Sequence, residues 1–172
     1  MIPMPSPRLT DTSYAVMGLL DMFEPATPYQ LKQIAQVSIF HFWSIPHTQL
    51  YTECGRLAEA GLLEERREER GRRRRIYRLS PAGRQMLKAW RDDTETELYE
   101  LRDPGLLKLF CGADPATLAD AQLERHQRRL HSYEELLGQT DLAEGVRLSL
   151  ESGIGHEREY VRFWSRLSEA RS

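Results

Sequence analysis

Lysine, cysteine and long apolar runs are all scarce in this sequence. Lysine occurs three times against 21 arginines, a bias of usage, since both residues serve equally on most solvated surfaces. Cys54 and Cys111 are too few and too distant in sequence for a disulfide framework, and they predict two buried, reduced thiols. No apolar stretch approaches the ~20 residues that a membrane helix needs, so no membrane partner is expected. The opening MIPMPSPRLT carries three prolines, one arginine and no apolar block, and is expected to be a loose leader rather than a secretory signal. There is no Gly-rich phosphate loop. The five histidines (His41, His47, His126, His131 and His156) fall in no H-E-x-x-H or comparable ligand spacing, and neither cysteine lies in a C-x-x-C. A catalytic centre, a metal and a cofactor are therefore not expected.

What is present is a chain of 172 residues, 40% apolar and 29% charged, the profile of a globular protein. Its net charge is -2 and its isoelectric point about 6.2. Against that background, LEERREERGRRRRIYR at 63–78 packs eight arginines and four glutamates into sixteen residues. A solvated face, a sorting signal and a grip on phosphate would all look like this in composition. The flanking segments decide among them.

DTSYAVMGLLDMF has helical spacing: Asp11, Thr12 or Ser13 can cap it, Ala15, Val16, Leu19, Leu20 and Phe23 form its apolar stripe, and Pro25 and Pro28 end it. YQLKQIAQV predicts a short second helix with Leu31, Ile34 and Ala35 inward. The aromatic SIFHFWSIP breaks periodicity and reads as a packed loop, with Trp43 as a plug under the next helix. That third helix is expected from about Ile45 to Ala60, with Ser44 as cap, Pro46 in the first turn, Leu50, Cys54 and Leu57 on the buried face and Gly61 as its stop. Strand, turn at Gly71, strand is the reading of the arginine-rich segment. SPAGRQMLKAW opens a helix at Ser80 and Pro81 with Met86, Leu87 and Trp90 as apolar members. After an acidic stretch come a short helix in GLLKLFCG and two long ones, Pro115 to about Leu137 and about Leu142 to Leu167.

Three helices, a basic hairpin and a further helix are the order of a winged helix-turn-helix, whose third helix enters a DNA major groove while the hairpin lies along the backbone. The expected fold is mainly α with a small β-hairpin: a winged helix-turn-helix domain over 9–91 and a C-terminal antiparallel helical dimerisation domain over 92–172. Arg70, Arg72, Arg73, Arg74 and Arg75 then form a wing that holds phosphate, to which arginine's planar fork is suited. Ile76, Tyr77 and Leu79 tie the run into a hairpin and so disfavour a sorting signal. Its position where this fold carries its wing disfavours a merely solvated hairpin.

FWSIPHTQLYTECGRLAEAGLL, RRRIYRLSPAGRQMLKAW and LRDPGLLKLF together resemble the PadR family of transcriptional regulators, in the form with a long helical C-terminal domain. The family pattern appears as Trp43-Ser44, Gln49-Leu50-Tyr51, Arg56-Leu57 to Gly61-Leu62, and Tyr77-Arg78-Leu79-Ser80 to Gly83. The resemblance implies a cytoplasmic homodimer that represses from a pseudo-palindromic operator on double-stranded DNA and is released by a small aromatic, often phenolic, effector. One departure is the acidic outgoing strand. Glu64, Glu65, Glu68 and Glu69 would repel phosphate unless they face away or pair with the arginines.

On a wheel of about 100° per residue, Thr48, Thr52, Gly55 and Glu59 oppose the buried face of the third helix, with Gln49 and Arg56 on one flank and Tyr51 on the other. Gln49 and Arg56 are the expected readers of base edges, Thr48 and Thr52 of a thymine methyl or a phosphate. Gly55 permits close approach to the groove. Tyr51 is either a phosphate contact or a core residue, and the resemblance favours DNA. Val146, Leu150, Ile154, Val161 and Trp164 form one stripe on the last helix, the expected dimer seam, with Glu157 inside it pairing Arg125, Arg128 or Arg129 of the other copy. Trp90, Phe110 and Trp164 are either core and seam aromatics or the walls of a flat effector pocket. The competing function is a winged-helix module that binds a partner protein through the basic hairpin and no operator.

Overall fold

A computed structural model of the chain describes residues 8–68, 73–139 and 141–170. It divides into two compact units, Met1–Thr96 and Glu97–Ser172. In the first unit α1 (Asp11–Phe23), α2 (Pro28–Ser38) and α3 (His47–Glu59) precede an antiparallel hairpin of β1 (Leu63–Arg67) and β2 (Arg75–Leu79), and α4 (Pro81–Asp92) follows. The second unit holds α5 (Pro104–Phe110), α6 (Pro115–Leu137) and α7 (Glu144–Glu169). No helix among the described residues is long and apolar enough to cross a membrane.

Local chemistry sets most helix starts. Thr27 caps α2, accepting from the Gln30 backbone while Gln30 Oε1 takes the Thr27 N–H, and Pro28 follows at the first helical position. α1 begins one residue before the expected caps: Thr10 is the cap, and its N–H donates to Ser13 Oγ. Ser80 Oγ accepts from Gly83 N–H at 3.0 Å and donates to the Gly61 carbonyl at 2.7 Å, so one hydroxyl starts α4 and ties it to the end of α3. α3 itself is shorter than expected, with Pro46 as its cap. Gly61, at φ +74°, supplies its left-handed stop.

The core of the first unit joins Val16, Met17, Leu19 and Leu20 of α1 to Leu31 and Ala35 of α2, Leu50, Cys54 and Leu57 of α3, and Leu63, Tyr77, Leu79 and Leu87 beyond. Ile45, not Trp43, is the plug ahead of α3. Ile45 is buried, whereas Trp43 stands on the surface with Phe42, because the chain turns outward after Phe40. Phe23 and Met86 are likewise exposed. Gly83 allows an unusually close approach: a Cβ there would lie 2.1 Å from the Leu62 carbonyl oxygen.

The hairpin register pairs Leu63 with Leu79 and Arg67 with Arg75, which puts Glu65, Arg67, Arg75 and Tyr77 on one face and Glu64, Arg66, Ile76 and Arg78 on the other. A further bridge joins Ala26, in the α1–α2 connection, to Tyr77 through hydrogen bonds of 3.1 and 2.9 Å. No turn or alternation around Ala26 in the sequence marks this third strand position.

In the second unit α6 and α7 run antiparallel, as the pairs Asp120–Ser168, His126–Glu157 and Glu134–Arg158 show. The stripe Val146, Leu150, Ile154 and Trp164 is buried within the single chain, and Val161 partly so. Within the chain that stripe is covered by α6 and by Gly105 of α5, a Cβ at Gly105 falling 3.2 Å from the Trp164 ring, which leaves little of it to serve as the expected seam. Glu157 is also satisfied within the chain, by His126 at 2.6 Å and Arg129 at 3.4 Å. Of the two thiols, only Cys54 is buried, and burial pushes it to about 12; Cys111 is exposed.

Candidate nucleic-acid interface

α3 has a dry face and a wet one. Leu50, Cys54 and Leu57 anchor it in the core, which turns Thr48, Gln49, Tyr51 and Thr52 to solvent. Thr52 Oγ1 donates to the Thr48 carbonyl at 3.0 Å, so its hydroxyl is satisfied along the helix. Gln49 Nε2 lies 3.4 Å from Thr12 Oγ1 of α1, a long contact that leaves most of the amide's donors and acceptors open. Tyr51 is 41% exposed, with its ring against His47 at 4.8 Å, which excludes the core alternative. A Cβ at Gly55 would meet nothing within 4 Å, so that side of the helix is open.

Arg56 is held differently. Its Nε donates to Glu53 Oε2 at 2.9 Å, and its Nη2 donates to Glu53 Oε1 at 2.6 Å and to Ser13 Oγ at 2.9 Å. Burial works to raise the Glu53 carboxyl, but hydrogen bonds from Arg56 and Ser13 and the charge of Arg56 hold it below its usual value. The Nε–Nη2 edge of Arg56, one of the two through which it was expected to read a base, is occupied by Glu53. Neither Glu53 nor Ser13 was expected at the site. The i, i+3 spacing of Glu53 and Arg56 was a visible signal; the link to Ser13 had none.

The wing carries its own counter-charges. Glu65 takes Arg67 at 3.2 Å, Arg75 at 3.6 Å and the Tyr77 hydroxyl at 3.0 Å, and Glu68 takes Arg74 at 3.0 Å. Partial burial opposes ionisation of Glu65, yet Arg67, Tyr77 and Arg75 outweigh it and hold the carboxyl low; Arg74 does the same for Glu68. Arg66, Arg73 and Arg78 have no ion-pair partner among the described residues. Arg70, Arg72 and the turn at Gly71 lie outside the described residues, as does Glu69.

Of the three expected effector residues, one lies in the first unit and two in the second. Trp90 belongs to the first unit and stacks on Tyr14, with centroids 4.6 Å apart and planes 8° off parallel. Phe110 is 89% exposed, and Trp164 is fully buried with no hydrogen-bond partner for its Nε1 among the described residues. One turn before Trp164, the Tyr160 hydroxyl lies beside the Asp103 carboxylate without a well-formed hydrogen bond; burial first, then that carboxylate, pushes it to about 12.

A helix with a polar outward face, followed by an arginine-bearing hairpin stitched to the α1–α2 connection, defines a winged helix-turn-helix protein. Residues 16–89 match the transcriptional regulator PadR-like family. It is 26% identical over 165 residues to the negative transcriptional regulator PadR of Bacillus subtilis (strain 168), a match spanning 86% of this chain and 90% of the relative. The fold superposes on the crystal structure of Bacillus subtilis PadR in complex with operator DNA with a TM-score of 0.80 at 22% identity, covering 95% of this chain and 99% of that one. The crystal structure of the same protein in complex with p-coumaric acid gives 0.74 at 22% identity, covering 96% and 99%.

Proposed function

We propose that the chain is a sequence-specific DNA-binding transcriptional regulator that works in the cytoplasm as a homodimeric repressor on a pseudo-palindromic operator. The observation that carries this is the wet face of α3, where Thr48, Gln49, Tyr51 and Thr52 project from a helix whose other side is locked in the core. Four exposed side chains able to donate, accept or offer a methyl suit a major groove, whose edges present that mixture. Arg73, Arg74 and Arg75, with Arg70 and Arg72, supply phosphate contacts from the wing.

One winged helix covers one half-site, so tight operator binding calls for a second copy. The α7 stripe is spent inside the chain. Among the apolar residues exposed in the second unit, Leu98, Leu101, Leu107 and Phe110 lie close together in sequence and are the surface we propose for a partner copy. A small aromatic effector belongs to the same reading, supported by the p-coumaric acid complex of the Bacillus subtilis protein and by the buried, unpaired indole N–H of Trp164. The reading assigns the chain no catalytic step, metal or cofactor.

The test is a gel shift of the purified protein on its own promoter region against a scrambled duplex. Preferential retardation of the promoter fragment is expected. Equal failure on both would favour the protein-interaction module.

A further inference from the structure

We propose that Arg56 is a phosphate clamp rather than a base reader, and that Glu53 and Ser13 are the positioning residues that aim it; this rests on the DNA-binding reading above. A guanidinium carries five N–H bonds in one plane, one on Nε and two on each Nη. Glu53 and Ser13 engage the Nε hydrogen and both hydrogens of Nη2, at 2.9, 2.6 and 2.9 Å. What remains is Nη1 alone.

Bidentate recognition of a guanine needs two roughly parallel N–H bonds from two different nitrogens. The two hydrogens of Nη1 diverge and cannot meet N7 and O6 together. A single phosphate oxygen asks for no such pair. Arg56 also stands on the flank of α3 beside Gln49, at the side of the outward face where a groove wall passes, not at its centre.

The mounting is firm. The Glu53 and Ser13 residues are buried, while the Arg56 side chain keeps about a third of its surface, 35%, in solvent. Ser13 Oγ also accepts the Thr10 N–H, so the clamp is fixed to the first turn of α1 as well as to α3. A guanidinium fastened along one edge and open along the other loses little freedom on meeting its ligand. Its grip on the backbone would set how α3 enters the groove, leaving the choice of sequence to Thr48, Gln49 and Thr52.

The experiment measures anisotropy of two labelled duplexes, the protein's own promoter region and a scramble of the same length, over a series of salt concentrations with the full-length chain. Arg56→Ala is expected to weaken both duplexes in parallel, on the order of tenfold, and to lower the slope of log K against log salt by about 0.9, the value of one lost phosphate contact. Arg56→Met, which retains the packing of the stem, should do the same, so that a change of slope cannot be mistaken for lost folding. Glu53→Gln keeps the cation but loosens its aim; a smaller parallel loss with the wild-type slope is expected. A loss confined to the promoter duplex would return Arg56 to the base readers, and an unchanged slope in both Arg56 variants would reduce it to an internal tie. Either result overturns the clamp while leaving DNA binding intact. Wild-type protein that binds neither duplex overturns the DNA-binding reading and the clamp with it.

Discussion

Gln49 keeps its amide almost free beside the Arg56–Glu53 pair, so the two flank residues of α3 divide their labour. Gln49→Ala should cost promoter binding about 1–3 kcal/mol while sparing the scrambled duplex; competition titration checks this, and parallel weakening of both duplexes would contradict it. Glu53 also makes the first unit sensitive to acid. Its carboxyl is held below its ordinary value of 4.5 in the folded chain, so it contributes stability above that pH and loses it as the pH falls through the lowered value. Denaturant melts between pH 6 and 3 should therefore show Glu53→Gln less acid-sensitive than wild type, and superimposable pH profiles would contradict the assignment. Gly83 is the most exacting single position. A methyl group there meets a backbone oxygen that cannot rotate away, so Gly83→Ala should destabilise the first unit by roughly 3 kcal/mol. A melting temperature unchanged from wild type would show that α4 can shift to make room.

Among the elements, the wing is the one whose charge misleads. Arg74 and Arg75 are already paired, and their glutamates must be displaced or tolerated when a phosphate arrives. Replacing Arg73, Arg74 and Arg75 together with alanine should reduce affinity for all sequences alike and flatten the salt dependence, by less than about 0.9 for each residue because two of the cations are half-spent. Titration over salt concentration decides it, and an unaltered slope would remove the wing from the interface. Elements governed by nearest neighbours were legible in the sequence. The Ser80–Pro81–Gly83 start of α4 and the limits of α6 follow from local caps and spacing, and so does the outward face of α3. What depends on distant partners was not. Nothing around Ala26 announces a strand, because its pairing with Tyr77 is made across half the unit's sequence. The reach of Arg56 to Ser13, 43 residues away, is equally silent. Periodicity showed that one face of α7 must be covered but could not say by what, and the cover turned out to be the chain's own α5 and α6.

At the scale of the whole molecule, that cover separates folding of the second unit from association. Trp164→Ala should cost roughly 3–5 kcal/mol by emptying a filled core, visible as a loss of helical signal on heating. Leu107→Glu with Phe110→Glu touches only exposed side chains, and should give a folded monomer with weakened promoter binding in light scattering and gel shift. A dimer that survives this pair of substitutions would move the partner surface elsewhere. The bridge between Ala26 and Tyr77 has a mechanical corollary. It fastens the root of the wing to the connection between α1 and α2, while Ser80 fastens the same root to the end of α3. Through these two ties the described residues of the winged helix hold together as one piece, like the jaw of a caliper. If the proposed dimer forms, release from DNA becomes a matter of the gap between two such jaws, and a mismatch of a few ångströms with the pitch of the duplex would lift one of them.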